Sequence, residues 1–165
     1  MINEFWNLIL EIWQQGIRGI GIDNIIICLL IILGSLVARA LMNTYLLDKI
    51  AKLTEKSETT LDDEIIESLR GPFGLIPVAF GLYLITAYLP FSGSLDLIAT
   101  NLVKMLVIYT IFSALANLTK PLLSLLSNNS WLTPAMSTWL SRVAIVLVWI
   151  VGITMMLDIW GIEIG

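Results

Sequence analysis

The residues best equipped for chemistry are Asp62, Asp63 and Glu64, a run of carboxylates of the kind that holds a divalent cation. Consecutive residues on a helix point about 100° apart, so these three do not converge on one ion. Thr60 just before them is a good N-cap, and acids in a first turn complement the positive end of the helix dipole. The run therefore reads as a helix start. Arg39, Lys104 and Arg142 lie near the ends of apolar stretches, where long side chains reach headgroups and explain themselves without a substrate. The central parts of those stretches hold no Asp or Glu, which argues against proton-coupled transport through a mid-membrane carboxylate. The single cysteine, Cys28, has no partner for an internal disulfide and reads as a small apolar packing residue. Histidine, the commonest metal ligand and general base, is absent. There is no nucleophile–base pair, glycine-rich phosphate loop or zinc spacing. The expectation is a protein without enzymatic activity, cofactor or metal.

The elements that carry these residues are set by hydropathy. The 165 residues are 58% hydrophobic, with a mean hydropathy of +0.90. Four apolar stretches, 22–42, 73–89, 102–122 and 138–157, approach the roughly 20 residues that cross a bilayer as a helix. An all-α membrane protein with four transmembrane helices follows. Threaded in order, Arg39, Lys49, Lys52, Lys56, Arg70, Lys120 and Arg142 share one side, leaving Arg18 and Lys104 on the other. The positive-inside rule then places the first group in the cytoplasm and both ends of the chain outside it. The segment ahead of Ile25 carries Glu4, Glu11 and Asp23 against one Arg18, unlike the basic start of a signal peptide, so the first span is expected to be retained. No basic arm points to nucleic acid.

Residues 1–21 precede the first span. Within them Asn3, Glu4, Asn7, Glu11, Gln14, Gln15 and Arg18 share one helical face, opposite Ile2, Phe5, Trp6, Ile9, Ile12 and Trp13. Trp6 and Trp13 suit the headgroup boundary, so the segment is expected to lie flat on the outer interface. Packing against a neighbouring protein helix meets the same pattern. Gly16, Gly19 and Gly21 supply a bend, and Asp23 and Asn24 open the first span. Beyond Arg39, Leu46, Leu47, Ile50 and Leu53 keep helical spacing among charges. With a second helix starting at Thr60, they predict a cytoplasmic helical hairpin over 43–72. Gly71-Pro72-Phe73-Gly74 is expected to break that helix, and Pro77 to kink the second span, making Gly71, Pro72 and Pro77 a hinge. Ser113, Ala114, Ala116 and Asn117 are expected at close helix contacts. Thr133 as N-cap with Pro134 at the first helical position begins span four.

Two segments resemble a known family. The stretch from Thr59-Thr60-Leu61-Asp62-Asp63 to Leu69-Arg70-Gly71-Pro72, followed by Gly81-Leu82-Tyr83, is similar to extended members of the small-conductance mechanosensitive channel family. There a T-T-x-D-D stretch and L-R-x-P precede a span with a G-x-Y motif. Leu157 to Gly165 resembles the L-x-x-x-G-I sequence that closes the last lipid-facing helix before a pore-lining one. The likeness covers the chain from Thr59 onward. It implies homo-oligomeric rings, usually heptamers, in the bacterial inner membrane, opened by membrane tension and releasing ions and small solutes on hypo-osmotic shock. Lipids would be the main partner, with no small-molecule substrate. The family's pore helix and cytoplasmic β-domain have no counterpart here, so a truncated chain is expected. The other open reading is a self-contained four-helix transporter or an accessory membrane subunit.

Overall fold

The computed structural model describes residues 21–46, 61–89, 91, 93–127 and 133–162. Among these the regular elements are all helical: α1 (Ile22–Leu41), a π-helical turn (Met42–Leu46), α2 (Leu61–Phe73), α3 (Ile76–Tyr88), α4 (Ser94–Ser127) and α5 (Pro134–Asp158). The expected interfacial helix, with Trp6 and Trp13, and the bend of the hairpin lie outside the described residues.

Four helical stretches are long and apolar enough to cross a membrane: Ile22–Tyr45, Glu64–Tyr88, Ser94–Ser124 and Ala135–Asp158. Three contain the expected spans. The second begins earlier than expected and takes in most of what was read as the second limb of the hairpin. Length explains this. The 13 residues of α3 reach only about 20 Å, short of a hydrocarbon core of roughly 30 Å, and α2 supplies the remainder.

The break falls at the far end of the expected Gly71-Pro72-Phe73-Gly74 stretch. Gly71 and Pro72 lie inside α2, and Pro72 is fully buried. The interruption falls at Gly74–Leu75, where Gly74 N–H donates to the Arg70 carbonyl at 3.2 Å and Leu75 N–H to that of Pro72 at 2.9 Å. Pro77 is the cause. It has no N–H for the Phe73 carbonyl, and its ring crowds that oxygen, so the helix stops and restarts. Pro77 then occupies the first turn of α3, where a missing N–H is harmless.

Local chemistry sets the other ends. Thr133 caps α5, its side chain accepting from Met136 N–H at 3.4 Å, with Pro134 opening the helix. At the far end Gly161 adopts φ +74°. Ile162 N–H donates to the Leu157 carbonyl at 3.2 Å and Gly161 N–H to that of Asp158 at 2.9 Å. This is a Schellman stop, which needs a left-handed residue that glycine adopts without strain. The Leu157…Gly161-Ile162 spacing therefore has a local physical cause.

Helices touch in chain order: α1 on α3, α3 on α4, α4 on α5, while α2 lies against α4 and the π turn. Contact between α1 and either α4 or α5 is at most marginal, so the helices form a layer rather than a closed bundle. No residue of α1 is buried. Large apolar side chains such as Leu30, Phe80, Leu97, Trp139 and Leu147 are exposed, while the buried residues include Ala79, Ala116, Thr110 and Ser141. That inversion suits a bilayer, where apolar side chains gain nothing from leaving lipid and helices associate through close backbone approach. Of the residues expected at contacts, Ala116 is buried, Ser113 and Ala114 are half-buried, and Asn117 is exposed.

Two glycines set the closest approaches. A Cβ on Gly81 of α3 would lie 2.6 Å from Ser35 Cβ of α1, and one on Gly152 of α5 would lie 2.8 Å from Phe112 Cγ of α4. Gly34 has nothing within 4 Å of the same position. Gly152→Val should therefore lower the stability of the detergent-purified protein by about 1–3 kcal/mol, read from thermal unfolding. Gly34→Ala should leave it unchanged or raise it slightly. Equal effects at the two sites would contradict this packing.

Candidate functional site

Several hydroxyl groups on the spans donate to carbonyls of their own helices. Thr110 donates to the Leu106 carbonyl at 2.7 Å, Ser141 to that of Ser137 at 2.9 Å and Thr154 to that of Ile150 at 2.9 Å. They do not build a polar path across the layer. Among the described residues no cluster of His, Cys, Asp or Glu could hold a metal ion. The side chains of Asp62 and Asp63 lie outside those described.

Polar geometry gathers instead at the α2–α3 elbow. Arg70 Nη1 donates to the Asn43 carbonyl in the π turn at 3.2 Å, and its Nε pairs with Glu67 Oε2 at 2.9 Å. The Glu67 side chain is 72% exposed, so the ion pair is a surface one and is held more by proximity than by strength. Asn43 faces the break. Its Nδ2 and Oδ1 both lie 3.0 Å from where a Gly74 Cβ would be, and Oδ1 is buried without a hydrogen-bond partner. The end of α1 thus seats on the one helix interruption in the second span.

A second junction closes the opposite end. The buried Asn101 donates through Nδ2 to the Ile159 carbonyl at 3.2 Å, and Trp160 Nε1 lies 2.8 Å from Met105 Sδ. The Schellman turn of α5 is thereby pinned to α4. Tyr109 and Trp149 add a tilted ring contact with centroids 5.5 Å apart.

The contacts run antiparallel: Asn43 meets Gly74 and Ser35 meets Gly81, while Phe112 meets Gly152 and Asn101 meets Ile159. Arg39, Arg70, Lys120 and Arg142 consequently lie towards one edge of the layer and Lys104 towards the other. Arg39, Lys104 and Arg142 are exposed, as anchors would be, and do not converge. Of the hinge residues, Gly71 is exposed, Pro72 is buried and Pro77 is half-buried, all within the elbow. Sequence reading included Gly74 in the expected break but missed Asn43 and the Arg70 contact. Counting four residues back from Pro77 to Phe73 would have singled out Gly74 within that stretch.

Two concavities flank the elbow. An apolar groove of about 550 Å³ between α3 and α4 is lined by residues including Phe73, Phe80, Tyr83, Val107 and Ile111. A cleft of about 490 Å³ between α2, α4 and α5 mixes Glu67, Ser68, Asn117 and Lys120 with Ala116 and Trp149.

No protein-family model matches the chain, and no significant match exists among curated proteins or solved structures.

The seating of Asn43 on Gly74 is testable by a double-mutant cycle. Gly74→Ala should cost about 1 kcal/mol because the Asn43 amide must give way. In an Asn43→Ala background that cost should largely vanish, a coupling within the usual range of about 0.5–3 kcal/mol for residues in contact. Additive losses in reversible detergent unfolding would separate the two residues.

Proposed function

We propose that this chain is a lipid-facing, tension-sensing region of a mechanosensitive channel of the inner membrane, with both ends of the chain on the non-cytoplasmic side. The observation that carries the reading is the helical layer itself: four bilayer-length helices in a row, with small residues at the contacts and large apolar side chains outward. A layer of this kind offers lipid far more surface than a closed bundle, and its described residues build no polar path for a solute. The motif resemblance, from Thr59-Thr60-Leu61-Asp62-Asp63 through Gly81-Leu82-Tyr83 to Leu157…Gly161-Ile162, points the same way. Homo-oligomerisation, heptameric by that resemblance, belongs to the same proposal, as does solute release on hypo-osmotic shock.

The mechanism is a difference in in-plane area. Tension favours the state in which the helices occupy more membrane, and a bias works only to the extent that it distinguishes two states. The elbow at Gly74–Leu75 is where the second span changes direction at least cost, since Pro77 has already removed the hydrogen bond a bend would break. Arg39, Lys104 and Arg142 anchor the two faces at the headgroups. Trp6 and Trp13 take the same role in the interfacial segment.

Patch-clamp recording under suction tests the function. Membranes expressing the gene that encodes this chain should show a stretch-activated conductance that is absent from membranes lacking it. A probe on Cys28, the single cysteine, should also change its fluorescence when lysophospholipid is added to one leaflet. Substrate-driven uptake insensitive to stretch would instead favour a transporter, and tight co-purification with another membrane protein an accessory subunit.

A further inference from the structure

The cleft between α2, α4 and α5 has a composition that membrane anchoring does not explain. Lys120 lines it and makes no ion pair among the described residues. Asn117, an exposed residue, lines it one turn earlier on α4. Across from them stand Glu67 and Ser68 of α2, and the remaining wall is Ala116, Ile145 and Trp149. One side is charged and hydrogen-bonding, the other apolar.

A second, independent feature lies in the backbone. Pro72 and Pro121 each sit inside a helix and have no N–H for the carbonyl four residues earlier. Those carbonyls belong to Ser68 and Asn117, and both residues line this cleft. Two different helices thus each carry a carbonyl deprived of its helical donor at the same place. A carbonyl of this kind near the headgroup edge is free to accept from a donor outside its own helix. The cleft offers one cation with no ion pair among the described residues, a mostly exposed carboxylate whose Oε2 already meets Arg70, and two such acceptors.

We propose that this cleft binds an aminophospholipid of the phosphatidylethanolamine type. The chemistry required is an ammonium with N–H donors held a few bonds from an anionic phosphate. Lys120 takes the phosphate, while Glu67 and the Ser68 and Asn117 carbonyls take the ammonium. The glycerol and upper acyl chain lie along Ile145 and Trp149. A choline headgroup has the charge but no N–H, and a glycerol headgroup has the phosphate but no ammonium. The apolar wall favours a lipid source over a free aminophosphate. The assignment requires only that these helices lie in a bilayer, so it is independent of any response to tension.

Native mass spectrometry of the full chain with added lipid tests it. Phosphatidylethanolamine should be retained at least about fivefold over phosphatidylcholine, as expected for one or two charge-assisted hydrogen bonds. Lys120→Gln should lower retention of both phosphatidylethanolamine and phosphatidylglycerol, Lys120→Arg should preserve it, and Glu67→Gln should lower only the former. Gly71→Leu leaves every charge in place but fills the cleft, because Gly71 lines it with nothing within 4 Å of its Cβ position; it should abolish retention. Asp96→Asn, at the other edge, should change nothing. Equal retention of the ethanolamine and choline lipids, or full retention by Gly71→Leu, would overturn the site. Displacement by millimolar free phosphoethanolamine would overturn the lipid assignment in favour of a soluble ligand.

Discussion

In a bilayer core there is no water to receive a backbone N–H or carbonyl, so each must find its partner inside the protein. The helical layer depends on that constraint, and so do its irregularities. Where proline removes a donor, the orphaned carbonyl becomes either a break or an acceptor for something else. Pro77 produces the first outcome: α2 stops at Phe73 and α3 starts at Ile76. Pro72 and Pro121 produce the second, because their helices continue through them and Ser68 and Asn117, whose carbonyls lose a donor, both line one cleft. Three prolines in similar apolar surroundings thus have different consequences, decided by what stands around them.

The second constraint is the weakness of hydrophobic association between helices already in lipid. Contact then depends on how closely backbones approach, which is why glycine and not leucine marks the interfaces. Gly81 against Ser35 and Gly152 against Phe112 hold the row together, and Asn43 against Gly74 seats the end of α1 on the elbow. Polar groups at either edge add direction. Arg70 ties α2 to the π turn, and Asn101 ties α4 to the end of α5. Between these edges hydroxyls such as those of Thr110 and Thr154 fold back onto their own helices.

Much of this was legible in the sequence, though unevenly. The number of crossing helices, the Thr133 cap and the stop around Gly161 rest on residues adjacent in the chain, and they came out as expected. The break was expected over Gly71-Pro72-Phe73-Gly74 with a kink at Pro77, and the interruption falls at the end of that stretch, past Gly71 and Pro72. Glycine and proline were weighted there as helix breakers in general, rather than by which carbonyl each proline orphans. The second span was taken as Phe73–Leu89 because the charges Glu64, Glu67 and Arg70 lowered the local hydropathy. In the structure α2 lies against α4 and extends the span despite them. Ala116 was found because small residues on an apolar helix advertise a contact, whereas Asn117 beside it faces the cleft.

The sequence by itself determined that the chain is helical, that it can cross a membrane four times and where most of those helices begin and end. Hydropathy and capping are properties of contiguous residues, and backbone hydrogen bonds in a helix reach only four positions. Only the tertiary structure decided that the helices form an open row, that Asn43 meets Gly74, and that Lys120, Glu67 and two orphaned carbonyls share one cleft. Those residues are far apart along the chain, and nothing in their local surroundings carries the distance between them.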